Sequence, residues 1–315
     1  MVNARAEAFA PASMGNVGIG FDILGLAFCE PGDTVIVERS DDPGARILTI
    51  TGDNGLLPTD PAQNTACVAA NAYLKHINAQ YGVGIHLKKG LPLASGLGSS
   101  ASSAVAAVVA TNALFGEPLS REELLPYCLE GEALVSGYHA DNAGPSLLGG
   151  ITLITGTTID DILCLPVPDN LHLALVTPDV EVKTSDARAV LPHMIPVRSM
   201  VIQTGGVARA VDALHRGDIK ALASAMESDV VIEPARAHLM PYLADIRQSA
   251  KHAGALGLVI SGAGPTLCAV CDSEEDARRV CEVMKTVYMD AEIESTVRYT
   301  RVSQIGAEIR RVEAS

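Results

Sequence analysis

The stretch Leu91-Pro92-Leu93-Ala94-Ser95-Gly96-Leu97-Gly98-Ser99-Ser100-Ala101-Ser102-Ser103 runs a glycine-rich loop straight into a segment rich in alanine and valine. The pattern predicts a helix over 99–114, with Gly116 as its left-handed stop and Pro118 just beyond. The first N–H groups of such a helix have no intrahelical partner. Loop and helix therefore aim unpaired donors, and the positive end of the helix dipole, at whatever lies in front. A phosphate suits that position. Gly96 and Gly98 let backbone approach a ligand closely, and Ser99 and Ser100 can cap the helix or offer hydroxyls to a metal-bound phosphate.

Taken alone, the loop has three rival readings. No lysine follows the glycines, so it is not a Walker-type phosphate loop. Gly96 to Ala101 fits the dinucleotide pattern G-x-G-x-x-A, with Glu117 near the distance of a ribose-binding acid. That pattern requires a strand ending at its first glycine, whereas residues 90–95 read as loop and Glu117 falls in the turn Gly116-Glu117-Pro118. The third reading is a flexible turn before a core helix, and other segments must decide.

With 315 residues, 48% of them hydrophobic, the chain can build two domains with real cores. No segment approaches the ~20 apolar residues of a membrane helix, and the N-terminus lacks a charged region followed by an apolar run. A soluble, cytoplasmic protein is expected. Cys29, Cys67, Cys128, Cys164, Cys268, Cys271 and Cys281 are odd in number and scattered through apolar segments, which suits reduced, buried thiols. Cys268 and Cys271 form a C-x-x-C pair, but in a strand over 266–271 they face opposite sides and share neither metal nor bridge. The net charge of −14 argues against nucleic acid or an anionic membrane as partner. Scarce aromatics and no tryptophan argue against a stacking platform for single strands. Anionic small ligands then depend on local sites such as the glycine loop and arginines near polar clusters.

Along the chain, residues 6–10 read as a short strand leading into the glycine-rich Pro11 to Gly25, which is either a surface turn or a loop closing over a small ligand. Residues 34–39 and 46–51 read as a hairpin joined by Asp41-Asp42-Pro43-Gly44. A helix follows over 64–80 with Asn64 as N-cap, then a strand over 83–88. Ser120 to Glu123 is a capping box opening a helix that carries Glu130 and Glu132, with Pro126 as its bend. Ser136 to Pro145 reads as a polar, turn-rich end of that helix, before a strand over 148–155. The second half reads as strands over 171–177, 256–260, 266–271 and 294–302, with helices over 184–191, 198–214, 218–228, 240–253 and 273–289. A glycine loop, Ser261-Gly262-Ala263-Gly264-Pro265, links the middle strand pair. The arrangement is α+β, without internal repeats.

Pro92 to Ser103 resembles the phosphate loop P-x-x-x-G-L-G-S-S-A of the GHMP kinases, whose N-terminal substrate motif resembles Pro11 to Gly25 and whose C-terminal glycine motif resembles Ser261 to Thr266. Within that superfamily, Asn16 to Gly25 and His139-Ala140-Asp141-Asn142-Ala143-Gly144-Pro145 are similar to the homoserine kinases. The resemblance covers nearly the whole chain. It implies the two-domain GHMP kinase fold, with a nucleotide-binding α/β domain over 1–166 and a ferredoxin-like α+β domain over 167–315. It also implies transfer of the γ-phosphoryl of ATP to the side-chain hydroxyl of L-homoserine, assisted by Mg2+, as a step of threonine biosynthesis. A kinase for another small alcohol, of shikimate or mevalonate type, and a non-catalytic ligand sensor are the alternatives. The sequence does not fix an assembly, and a homodimer stays open.

The resemblance also implies the site. ATP falls to Asn64, to Pro92, Leu93, Ala94, Ser95, Gly96, Leu97, Gly98, Ser99, Ser100, Ala101 and Ser102, and to Gly262 and Gly264. Glu132 matches the metal-binding glutamate, with Glu130 as fallback and Ser99 and Ser100 completing the shell. Homoserine is a zwitterion, so its site needs a cation and an acceptor. Arg188 and Arg236, in stretches resembling the family's substrate segments, suit the carboxylate. Asn16 and Asp22 suit the ammonium, with His139 and Thr184 as neighbours. Where many GHMP kinases carry an aspartate as base, Asn142 stands here beside Asp141. Direct transfer with Asn142 as an orienting group is the expectation, and Asp141 stays open as a base.

Overall fold

The computed structural model describes residues 3–135 and 137–314. It opens with β1 (Asn3–Gly15) and β2 (Leu24–Ser40), long antiparallel partners in which Ala6, Ala8 and Ala10 turn inward at alternate positions. The first strand thus runs well past residue 10, and only residues 16–23 of the glycine-rich stretch form the turn. β3 (Ala45–Thr51) is not the hairpin partner of β2. β4 (Gly82–Lys88) lies between them, antiparallel to β2 and parallel to β3. Burial decides the order, since β4 is enclosed over most of its length and takes an interior place, whereas half-exposed β3 takes the edge.

Helix α1 (Thr65–His76) starts at Asn64, whose side chain accepts the Ala66 N–H, and stops at His76 rather than at Gln80. Helix α2 (Ser99–Leu114) has the bounds expected from its sequence. It is buried all round from Ala101 to Leu114 and crosses β1 and β2 beside α1 and α3 (Leu125–Ala133). Pro126 starts α3 instead of bending it, after a 3-10 turn over 122–124 at which Ser120 N–H donates to Glu123 Oε2. Helix α4 (Ala140–Leu148) replaces the expected turn-rich stretch, since Gly144 and Pro145 disguise a helix that begins at Ala140. Ser136, which opened that stretch, lies outside the described residues. Strands β5 (Ile151–Ile154) and β6 (Ile162–Leu165) extend the first sheet from β2.

β7 (His172–Pro178) leads to α5 (Thr184–Ala189), α6 (Val197–Arg216), α7 (Ile219–Met226), α8 (Ile232–Arg236) and α9 (Leu243–His252). β8 (Gly257–Ile260), β9 (Leu267–Cys271), α10 (Glu274–Asp290) and β10 (Ser295–Arg301) follow. The second sheet has the order β10-β7-β9-β8, the fourth-first-third-second arrangement of a ferredoxin-like βαββαβ unit. The last strand, β11 (Glu308–Ala314), had no counterpart in the sequence reading; it returns to pair with β1 in the first sheet. One core packs the first sheet on α1 to α4, a second joins the two sheets, and a third lies between the second sheet and α9 and α10. Cys268 faces the second core and Cys271 the third, as strand alternation requires, whereas Cys29 and Cys164 are exposed rather than buried. No helix among the described residues is long and apolar enough to cross a membrane.

Candidate active site

The three glycine-bearing loops meet at one cleft of about 430 Å³. Ser13 N–H donates to Leu97 O, Ser261 Oγ donates to Gly96 O, and Thr266 N–H donates to Ser95 O. The loop before α2 is therefore gripped from β1 on one side and from the C-terminal glycine loop on the other. Gly96 and Gly98 both have positive φ, and a Cβ on Gly98 would lie 2.0 Å from Ser13 Oγ. Gly98 takes the N-cap position without a side-chain cap, so the first-turn donors of α2 stay open to the cleft. Ser99 does not cap the helix as one reading allowed; its Oγ is buried and has no hydrogen-bond partner.

Leu93, Ala94, Ser95, Gly96, Gly98, Ser99, Ser100 and Gly262 line the cleft together with Asn64, whose side chain is committed to capping α1 and to Pro58 O. Leu97, Ala101 and Ser102 do not line it, because their side chains are buried beneath the loop. Ser102 Oγ donates to Ala10 O and accepts Asp33 N–H. Pro92 is exposed outside the cleft, and Gly264 supports from behind, packed against Met240.

Glu132 is 2% exposed and lines the cleft, whereas Glu130 is exposed and accepts from Tyr138 Oη. Of the two carboxylates, Glu132 alone lines the cleft. Asp141 and Asn142 enter from the first turn of α4. Asn142 Oδ1 accepts from Ser13 Oγ at 3.0 Å, which fixes the amide against β1. Asp141 is buried, and that burial, reinforced by the charges of Asp22 and Glu132, pushes its pKa up to about 7.

The substrate candidates form one network. Arg188 donates to both oxygens of Asp22, at 2.7 and 3.1 Å, while its Nε is buried without a partner. Burial works against the Arg188 charge, but the hydrogen bonds and charge of Asp22 outweigh it and raise the pKa. Arg236 is 3% exposed and donates to Ala187 O and Gly262 O; burial, then Arg188, lower its pKa to about 10. Asn16 donates to Gly262 O and accepts Asp22 N–H. His139 Nδ1 lies 3.5 Å from Asp22, and burial lowers its pKa against that carboxylate's pull. Thr184 reaches the cleft from the start of α5. The site also contains residues that the sequence reading missed. Lys89, buried, pairs with buried Asp33 and donates to Ser99 O and Ser103 Oγ beneath the phosphate loop. Phe21 and Lys183 stand in the cleft wall. Lys88-Lys89 at a strand end looks like any solvated pair, so only the tertiary fold exposes its second member's role.

Residues 64–150 match the family described as GHMP kinases N terminal domain, and residues 210–289 match GHMP kinases C terminal. The chain is 41% identical to a homoserine kinase of Chlorobium phaeobacteroides, covering 96% of this chain and 98% of the relative. The chain belongs to the homoserine kinases of the GHMP kinase superfamily. A homoserine kinase of Chloroherpeton thalassium is 42% identical over 97% of this chain and 99% of its own length. Among homoserine kinases of known structure, that of Cytophaga hutchinsonii superposes with a TM-score of 0.93 at 41% identity, over 98% of both chains. The α+β fold with its two GHMP kinase parts agrees with the expectation from the three loops.

Proposed function

We propose that this chain transfers the γ-phosphoryl of ATP to the side-chain hydroxyl of L-homoserine. The observation that supports it is the single cleft that faces an open helix N-terminus on one wall and the Asp22, Arg188 and Arg236 cluster on the other. The first wall suits the phosphates of ATP, through the first-turn N–H groups of α2. The second suits a zwitterion. The buried Nε of Arg188 and the neighbouring Arg236 supply donors for a carboxylate, and Asp22 with Asn16 faces an ammonium. Shikimate and mevalonate carry the carboxylate but would leave Asp22 without that partner.

Mg2+ fits the residues present. It binds through one or two carboxylates plus phosphate oxygens, for which buried Glu132 and the unpartnered Ser99 Oγ, with Ser100 beside it, are the fitting donors. When bound it would neutralise charge on the transferring phosphates. Asn142, fixed by Ser13, orients the reacting groups without taking a proton. A loose transition state makes an early strong base unnecessary. We further assign the reaction to threonine biosynthesis and the protein to the cytoplasm, the latter on its seven unpaired cysteines.

The test is ADP release with L-homoserine, L-threonine, L-serine, shikimate and mevalonate. L-homoserine should stimulate release most; its failure at every concentration would end the reading. Arg188→Ala and Arg236→Ala should each weaken homoserine use by roughly 10- to 100-fold, the worth of a charge-assisted bond. Homoserine amide, which lacks the carboxylate, should be a poor substrate whose use the same variants reduce little further. Equal proportional losses on both substrates would show that the arginines serve another group.

A further inference from the structure

Phe21 sits in the turn 16–23 directly before Asp22, and its side chain belongs to two surfaces at once. On one side it lines the reactive cleft; on the other it borders a separate apolar groove with Ile19, Ile23, Val207 and Ile232. The guanidinium carbon of Arg188 lies 5.4 Å from the ring centroid and that of Arg236 lies 5.2 Å from it. One ring thus serves two cations that belong to different helices, α5 and α8.

Two guanidiniums brought together for one carboxylate repel each other until the ligand arrives. Asp22 neutralises Arg188, but the hydrogen bonds of Arg236 end on neutral carbonyls, and among the described residues no salt bridge reaches it. A nearly buried cation in that position, reached only through space by the charges of Asp22, Asp229 and Asp141, gains from a partner at close range. The electron-rich face of an aromatic ring attracts a cation within about 6 Å, and the attraction grows as water is excluded. The ring also fixes distance, since a rigid hydrocarbon standing between the cleft and the apolar groove keeps both side chains at a set spacing.

We propose that Phe21 is a positioning residue that clamps Arg188 and Arg236 side by side, so that one substrate carboxylate meets both. The assignment rests on the reading of these arginines as the carboxylate site. Asp22 and Phe21, neighbours in one tight turn, then divide the work: the carboxylate balances and aims Arg188, and the ring holds the pair together.

The experiment compares Phe21→Leu, which keeps apolar bulk and removes the ring, with Phe21→Tyr, which keeps the ring, in the full chain. In protein labelled with 15N-arginine, the Hε resonances of Arg188 and Arg236, assigned with single Arg→Lys variants, should carry a ring-current shift. Phe21→Leu should abolish both shifts and Phe21→Tyr should keep them. In turnover, Phe21→Leu should raise KM for L-homoserine by about 3- to 30-fold, with KM for ATP and kcat within about twofold of the parent. Phe21→Tyr should restore KM. Arginine shifts that persist in Phe21→Leu, an unchanged homoserine KM in that variant, or equal losses from Leu and Tyr would each overturn the clamp. If the parent protein shows no homoserine turnover, the functional reading fails by itself, and the arginine resonances still decide whether the ring holds the two cations.

Discussion

Asp141 is the residue whose environment and chemistry are most at odds. Its pKa of about 7 lies well above the ordinary 3.8, because burial penalises the charged form and Asp22 and Glu132 add like charge. The folded state therefore holds this proton more tightly than the unfolded chain does. Its contribution to stability is full below about pH 4 and is lost as pH rises through about 7. Asp141→Asn should remove that slope, so that the ligand-free variant gains on the parent by on the order of 1 to 4 kcal/mol between pH 4.5 and 7.5. Urea unfolding at the two pH values measures it; a difference between variant and parent that does not change with pH would refute the assignment. The adjacent pair Asp141-Asn142 was visible in the sequence, but its surroundings were not. Asp22 and Arg188 are separated by 166 positions, so neither residue type nor local spacing announces that they satisfy each other. Glu130 and Glu132 were likewise equivalent by residue type, and only the burial of one and the exposure of the other separate them.

The phosphate loop and α2 form the element read most completely from sequence, because glycines that require positive φ and an Ala/Val helix buried on all sides both leave local marks. Elements whose identity depends on a distant partner were misread. A turn at 41–44 suggested a hairpin, yet the more buried β4 displaced β3 from β2, and Gly144 with Pro145 hid α4. Short β6 and α8 offered too few residues for a period to show. Two substitutions in this element separate folding from function. Gly98→Val places a side chain 2.0 Å from Ser13 Oγ at a φ of +63, so it should weaken ATP binding at least tenfold and also lower Tm, with strain of about 1 to 3 kcal/mol. Ser99→Ala removes a buried hydroxyl that makes no hydrogen bond, so the free protein should lose no stability. It should instead raise the Mg2+ concentration for half-maximal turnover. Loss of stability with unchanged Mg2+ dependence would make Ser99 a structural residue.

At the scale of the molecule, the chain returns to its start. The cleft draws on residues 16–22, on the loop before α2, on α3 and α4, and on α5, α8 and the loop 261–265, so it depends on both sheets staying in register. We propose the division at residues 166 and 167 for the two parts, with the last strand belonging by its pairing to the first. β11 covers the edge of β1 from Asn3 to Phe9, Arg310 lies over the Phe9 ring at 4.2 Å, and Ala307 N–H donates to Leu147 O at the end of α4. None of residues 305–314 lines the cleft. A chain ending at Gln304 would therefore uncover the outer edge of β1 while leaving the cleft-lining side chains in place. It should unfold at lower urea than the full chain and associate through the bared strand at higher concentration. Freshly purified, unaggregated protein should keep its kcat and its KM for both substrates within about twofold, because edge loss acts on stability before it acts on a distant site. Matched urea melts, light scattering and initial rates on the two chains check this. Equal unfolding midpoints would show that β11 adds nothing to the first sheet. A collapse of kcat in protein that is still folded and unaggregated would mean that the last strand positions the cleft through β1 and Ser13.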